Sequence, residues 1–270
     1  MVKIYTDKFS MDGYLTSNVE FLYKRKTKKW DNLIIIDGDE RAGKTTISQQ
    51  IGYVYSIMNK SMFSVNNIFF NPEKMFNYAY KNKNDIIIWD EAAMGGLSTE
   101  WQNKVQQLLI KMLMTCGKYN HLYIFIIPKF KRINAYLGLD RSIALIRVYS
   151  PDNIERGYFR FYNKTKKEKL YHYEKQNMYK RTRMSYPNFI GRFVNTEGMI
   201  IDEDKYQEKK DQAISSLTQS PRDDMWRKRT YQLVNFAKSK GIKVKDIAKF
   251  LGMTTENIYK EAKKYGKITG

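Results

Sequence analysis

An α/β fold is predicted, with a mainly parallel sheet, an antiparallel extension and a small all-helical unit at the C-terminal end. Three observations carry it. The apolar run Leu33-Ile34-Ile35-Ile36 feeds the loop Gly38-Asp39-Glu40-Arg41-Ala42-Gly43-Lys44-Thr45, and a helical pattern follows from Thr46 to Val54. Strand, glycine-bounded loop, then helix is the context in which G-x-x-x-x-G-K-[ST] cradles phosphate. Second, Asp85-Ile86-Ile87-Ile88-Trp89-Asp90-Glu91 reads as a buried strand that ends in two carboxylates. Third, residues 31–150 alternate between strand-like and helix-like segments, the pattern of a parallel sheet with crossover helices.

The spacing in the loop has a chemical reason. Gly38 and Gly43 let the backbone curl, so that the N–H groups of Asp39, Glu40, Arg41 and Ala42 turn inward toward phosphate oxygens. The positive end of the following helix, at Lys44, Thr45 and Thr46, adds to that field. Lys44 would reach the β- and γ-phosphates, and the Thr45 hydroxyl would hold Mg2+. A strand beside the loop strand would bring Asp90 to the same ion, while Glu91 points differently and would orient and deprotonate a water. These residues imply an NTP hydrolase with ATP and Mg2+.

In order along the chain, residues 1–30 read as an arm or strand ending in Lys24-Arg25-Lys26-Thr27-Lys28-Lys29. A phosphate contact and a solvated turn both fit that basic run. Strands are expected at about 32–37, Val65–Phe70, Ile86–Asp90, Leu122–Ile127 and Ile143–Tyr149. Helices are expected from Lys44 to near Lys60, after Pro72, and from a Ser98 cap through Trp101, Val105, Leu108, Leu109, Met112 and Leu113. Gly95-Gly96 reads as a turn before that cap, and a short helix near 130–139 precedes the fifth strand.

Composition argues about partners. Against 28 acidic residues stand 48 Lys and Arg, a net charge of +20, which points to nucleic acid first and an anionic membrane surface second. The strongest apolar run, Leu122 to Pro128, is far too short to span a membrane, and the first residues lack a signal-peptide core. Cys116 is the one cysteine, with only His121 and His172 beside it, so neither an internal disulfide nor a cysteine or histidine zinc site is expected. The expected compartment is a reducing cytoplasm.

Gly38–Thr45, Asp85–Glu91, the long helix, Ile126-Ile127-Pro128 and Arg141 before a strand resemble phage and archaeal-virus P-loop ATPases of the broad FtsK–HerA and zonula-occludens-toxin-like group. The resemblance covers roughly residues 30–165. It implies an additional-strand P-loop NTPase core, with a further strand between the loop strand and the acid strand. It also implies a homo-oligomeric ring in which an arginine completes the neighbour's site, Arg141 first and Arg132 second. A helix-end arginine that caps carbonyls fits Arg141 too. Where many members carry a polar sensor after the fourth strand, this chain has Pro128 and Lys129.

Beyond the core, Gly157–Tyr162 alternates like an edge strand, with Lys169–Tyr173 as its expected partner. Tyr179-Lys180-Arg181-Thr182-Arg183 interleaves aromatic and basic groups. Contact with a nucleic-acid strand and a lysine-protected sheet edge both fit this 151–202 extension of the 31–202 ATPase domain. Residues 203–224 read as a polar linker, partly helical near 205–216. Residues 225–270 read as a helix-turn-helix domain: Ala248 lets two helices approach, Gly252 turns the chain and Ile258 anchors the second helix. Thr254, Thr255, Asn257, Lys260 and Lys264 would then face DNA; a plain helical hairpin is the other reading. The expected task is to move or package DNA. A replication initiator or helicase loader, and an ATP-switched regulator, are the alternatives.

Overall fold

The computed structural model describes residues 8–91, 99–176, 186–196, 198–218, 231–232, 234–252 and 254–258. A helix, α1 (Gly13–Thr27), comes first, where an arm or strand was expected. Its signals are local. The Asp12 side chain accepts from the Leu15 N–H, and buried Leu15, Val19 and Leu22 recur at helical spacing. The basic run falls at its end, where Lys24, Arg25 and Lys26 complement the helix dipole. Two of these side chains are also committed: Arg25 donates to Asn32 at 2.9 Å and Lys26 to Asn59 at 2.8 Å.

The core follows the expected alternation: β1 (Asn32–Gly38), α2 (Lys44–Asn59), β2 (Ile68–Phe69), α3 (Pro72–Lys81), β3 (Ile86–Asp90), α4 (Thr99–Cys116), β4 (Leu122–Ile126) and β5 (Ala144–Tyr149). Strand β2 is shorter than expected because Ser64 caps a 3-10 turn over Val65–Asn67. Between β4 and β5 lie a 3-10 turn, Phe130–Arg132, and a π-helical segment, Tyr136–Arg141, instead of one short helix. The expected Gly95-Gly96 turn and Ser98 cap lie outside the described residues.

Next come β6 (Tyr158–Asn163), α5 (Lys164–Gln176), β7 (Phe189–Arg192) and α6 (Glu203–Thr218). The sheet order is β2-β3-β4-β1-β5-β6-β7. The first five strands are parallel, and β6 and β7 are antiparallel. Strand β4 thus separates the loop strand from the acid strand, as the additional-strand P-loop class requires. Right-handed crossovers place α2 on one face and α3 and α4 on the other.

One expectation fails in the extension. Residues 169–173 belong to α5 and do not pair with β6; the partners of β6 are β5 and β7. The reason is the spacing of Lys167, Leu170 and Tyr171, all buried on one helical stripe. Lys167 donates to the Gly138 and Leu139 carbonyls, at 2.5 and 3.0 Å. Residues 203–218, expected as the first part of a linker and helical near 205–216, form α6, which buries Tyr206. The chain divides into two compact units at 213/214. In the second unit, α7 (Val244–Leu251) packs Ile247 and Ala248 with Val234 and Ile258.

One charged cluster sits inside the first unit. Opposite Asp37 in the β1–β5 register stands Arg147. Its guanidinium donates to both Asp37 oxygens, at 2.9 and 2.5 Å, and to Glu174 of α5 at 2.5 Å. The second Asp37 oxygen also accepts from the Phe130 N–H at 3.0 Å. Asp37 is 1% exposed, so removing its partner strands a charge in the core. Arg147→Met should cost about 3–5 kcal/mol in urea denaturation. Adding Asp37→Asn should return part of that loss; a double variant no more stable than the single one would refute this account of the cluster.

Candidate nucleotide-binding site

Strand β1 delivers its loop at the carboxyl end of the parallel strands, where open α/β sheets bind ligands. Gly38 is there for lack of room: a Cβ on it would lie 1.8 Å from the Val148 carbonyl oxygen of β5. The Asp39 N–H binds that same oxygen at 3.2 Å. Farther along, Arg41 adopts a left-handed φ of 59° and Gly43 one of 104°, which curls the loop before α2 begins at Lys44.

The expected residues come together. The Lys44 ammonium donates back to the loop carbonyls of Gly38 at 3.0 Å and Asp39 at 2.6 Å. Burial holds it below the ordinary lysine range, against the pull of Asp37, Asp90, Asp39 and Glu40. The Thr45 hydroxyl donates to Asp90 at 3.0 Å, so residues 45 positions apart meet at the mouth of the loop. Asp90 is fully buried at the end of β3. Glu91 follows it, and its carboxyl is pushed up to about 7, chiefly by burial and next by the Asp90 charge, while Arg132 opposes the shift. Arg132 itself is exposed, in the turn after β4.

Arg141 is elsewhere. It precedes β5, at the opposite end of the strands from the loop, and it is ion-paired with Asp31. It also lies 3.4 Å from the Leu113 carbonyl at the end of α4, which resembles the carbonyl-capping alternative. The carboxylate it meets is Asp31, not the adjacent Asp140.

Tyr206 was missed. It lies in the stretch that composition marks as linker, 116 residues from Asp90, and no local pattern announces it. Its buried hydroxyl lies 3.3 Å from the same Asp90 oxygen that Thr45 binds. Burial first, and then the Asp90 charge, push the phenol well above the usual tyrosine range, so it is a neutral donor. Its ring packs 5.6 Å from Phe70, and Lys209 one turn later donates to the Val65 carbonyl at 3.0 Å. A segment after β7 also reaches this region: the Gln50 amide of α2 donates to the Val194 carbonyl at 2.7 Å.

On the β extension two arginines are stacked on tyrosines, half-buried Arg160 over Tyr149 at 4.2 Å and exposed Arg192 over Tyr158 at 4.4 Å. Tyr179–Arg183 lie outside the described residues. In the second unit, Gly252 ends α7 in a left-handed conformation, and Thr254 accepts from the Asn257 N–H at 3.2 Å to start a new turn. Thr254 and Asn257 are exposed and Thr255 is half-buried. Lys260 and Lys264 lie outside the described residues.

No protein-family model and no curated protein matches the sequence. Solved structures resemble it only loosely. One is a DNA polymerase III gamma subunit-related protein of Thermotoga maritima, at 9% identity and TM-score 0.35, covering 49% of this chain and 45% of that one. A KaiC-like protein of Pyrococcus horikoshii gives 15% identity and TM-score 0.36, over 50% and 79% of the two chains. A Thermotoga maritima RuvB variant gives 11% and 0.33, over 95% and 88%. The chain spans less than half the length of the first of these. At such scores the likenesses carry no argument; strand order and loop geometry define the fold.

The raised Glu91 carboxyl has a measurable consequence. Its value of about 7 when folded exceeds the ordinary 4.5, so folding takes up a proton. The penalty is absent below about pH 4.5 and complete above about 7. Glu91→Gln should therefore stabilise the nucleotide-free chain at pH 8, by roughly 1 kcal/mol after solvent screening, and leave it unchanged at pH 4. Denaturant midpoints at the two pH values check this; equal gains at both would remove burial as the cause.

Proposed function

We propose that the chain is a magnesium-dependent ATPase that binds DNA and moves or packages it, working as a homo-oligomeric ring of the FtsK–HerA-like kind. The observation that carries the ATPase reading is the meeting of Thr45 and Asp90 at 3.0 Å beside a curled G-x-x-x-x-G-K-T loop. Two hard oxygen donors so placed fit Mg2+, which takes one or two protein oxygens and keeps its remaining positions for water and phosphate. When bound, the ion would neutralise charge on the β- and γ-phosphates. Lys44 would leave its loop carbonyls for phosphate oxygens. Glu91 orients a water and accepts its proton, and a value near neutrality suits that task. Tyr206 donates to the same Asp90 oxygen that Thr45 reaches. Arg132, facing Glu91, is the better candidate than Arg141 for a cation at the γ-phosphate.

DNA as partner is supported by the +20 charge and by the second unit, where Gly252 ends α7 and Ala248 packs with Ile258. Thr254, Thr255 and Asn257, with Lys260 and Lys264, are the proposed DNA contacts. A second reading has its own observation: Phe236 and Phe250 of this unit are 62% and 89% exposed, which suits docking on a protein surface, as an initiator or helicase loader would use.

Lys44→Ala should abolish ATP binding, whereas Glu91→Gln should bind ATP and hydrolyse it roughly 10²–10⁴-fold more slowly. Near-native turnover by Glu91→Gln would disprove the base assignment. Deleting residues 219–270, which leaves α6 whole, should weaken duplex DNA binding about ten-fold or more at fixed salt and keep basal hydrolysis. Full DNA affinity together with a lost oligomer would favour the docking reading.

A further inference from the structure

The described half of the site accounts for a triphosphate and leaves the rest of the nucleotide without a partner. Which flank it occupies follows from the sheet order. Asp90 and Glu91 leave β3, two strands from β1 on the β4 side, and mark the γ-phosphate end. The nucleoside end of a triphosphate laid along the loop then points toward β5, β6 and β7.

On that flank one aromatic ring touches the loop itself. The chain leaves β7 at Arg192, and Phe193 turns back over Gly43: a Cβ at Gly43 would lie 2.9 Å from both Cε2 and Cζ of the ring. Its place is held from two sides. The Phe193 N–H donates to the Gly157 carbonyl at 2.8 Å. One residue on, the Val194 carbonyl accepts from Gln50 of α2 at 2.7 Å, and Thr196 from the same amide at 3.3 Å. Phe159 of β6 backs the ring at 6.5 Å. Phe193 is nevertheless only half-buried, beside the loop that carries Asp39, Glu40 and Arg41. A half-buried aromatic ring beside a phosphate-binding loop is suited to a flat apolar partner.

We propose that Phe193 is the stacking platform for the heteroaromatic base of the nucleotide, and that the 193–196 segment sets its position. This rests on the phosphate-loop reading above. Gly43 is matched to the ring, since any side chain there would displace it. Stacking reads the π-face and not the base edges, so the subsite takes nucleoside triphosphates and discriminates little among bases.

The experiment measures equilibrium binding to the full chain, with Mg2+, of ATP and of inorganic tripolyphosphate, which has the phosphates and no base. Phe193→Ala should weaken ATP roughly ten-fold and leave tripolyphosphate unchanged. Phe193→Leu, which keeps the packing on Gly43, should show the same selective loss, and Phe193→Trp should retain ATP. Parallel loss of both ligands in Ala and Leu variants, or loss of neither, overturns the proposal. Failure of the phosphate-loop reading looks different: the unsubstituted chain would then bind ATP no better than Lys44→Ala.

Discussion

Where β1 leaves the sheet, a carboxylate is buried one residue before the backbone must curl. Asp37 is neutralised by Arg147 from the next strand and capped by the Phe130 N–H from the turn after β4. Those contacts tie β1, β5 and the β4 turn together at the level where the loop begins. Gly38 then passes so close to Val148 that no side chain fits between them. The start of the loop is thereby fixed by packing and by a paired charge, the kind of preorganisation a binding loop uses.

Glu174 completes the cluster and brings α5 to the same place. In turn α5 uses buried Lys167 to cap the carbonyls of the π-helical segment before β5. The antiparallel extension is thus more than an appendage. Its helix neutralises the strand exit, and the chain beyond β7 folds back on the loop at Phe193 and on α2 through Gln50.

Helix α6 plays a comparable part at the Thr45–Asp90 pair. Tyr206 donates to the Asp90 oxygen that Thr45 also reaches, and Lys209 fastens the next turn to the Val65 carbonyl. Glu203 to Thr218 is one helix, and the boundary between the two compact units falls within it, at 213/214.

The phosphate loop, the acid strand and the five parallel strands were legible in the sequence because each depends on neighbours along the chain. Glycine spacing, a run of Ile before Gly38 and the pair Asp90-Glu91 are local signals, and so is the turn at Gly252 between Ala248 and Ile258. Helix α1 and helix α5 were also written locally, in Leu15, Val19 and Leu22 and in Lys167, Leu170 and Tyr171, but their lysine-rich faces masked the period. Tertiary structure alone decided the rest. Arg141 reads as a site residue until Asp31 claims it, and Tyr206 and Phe193 read as linker and edge until the sheet order brings them to Asp90 and Gly43. A sequence encodes spacing along one chain; which distant residue meets a buried charge or a glycine is set by how strands and helices pack around it.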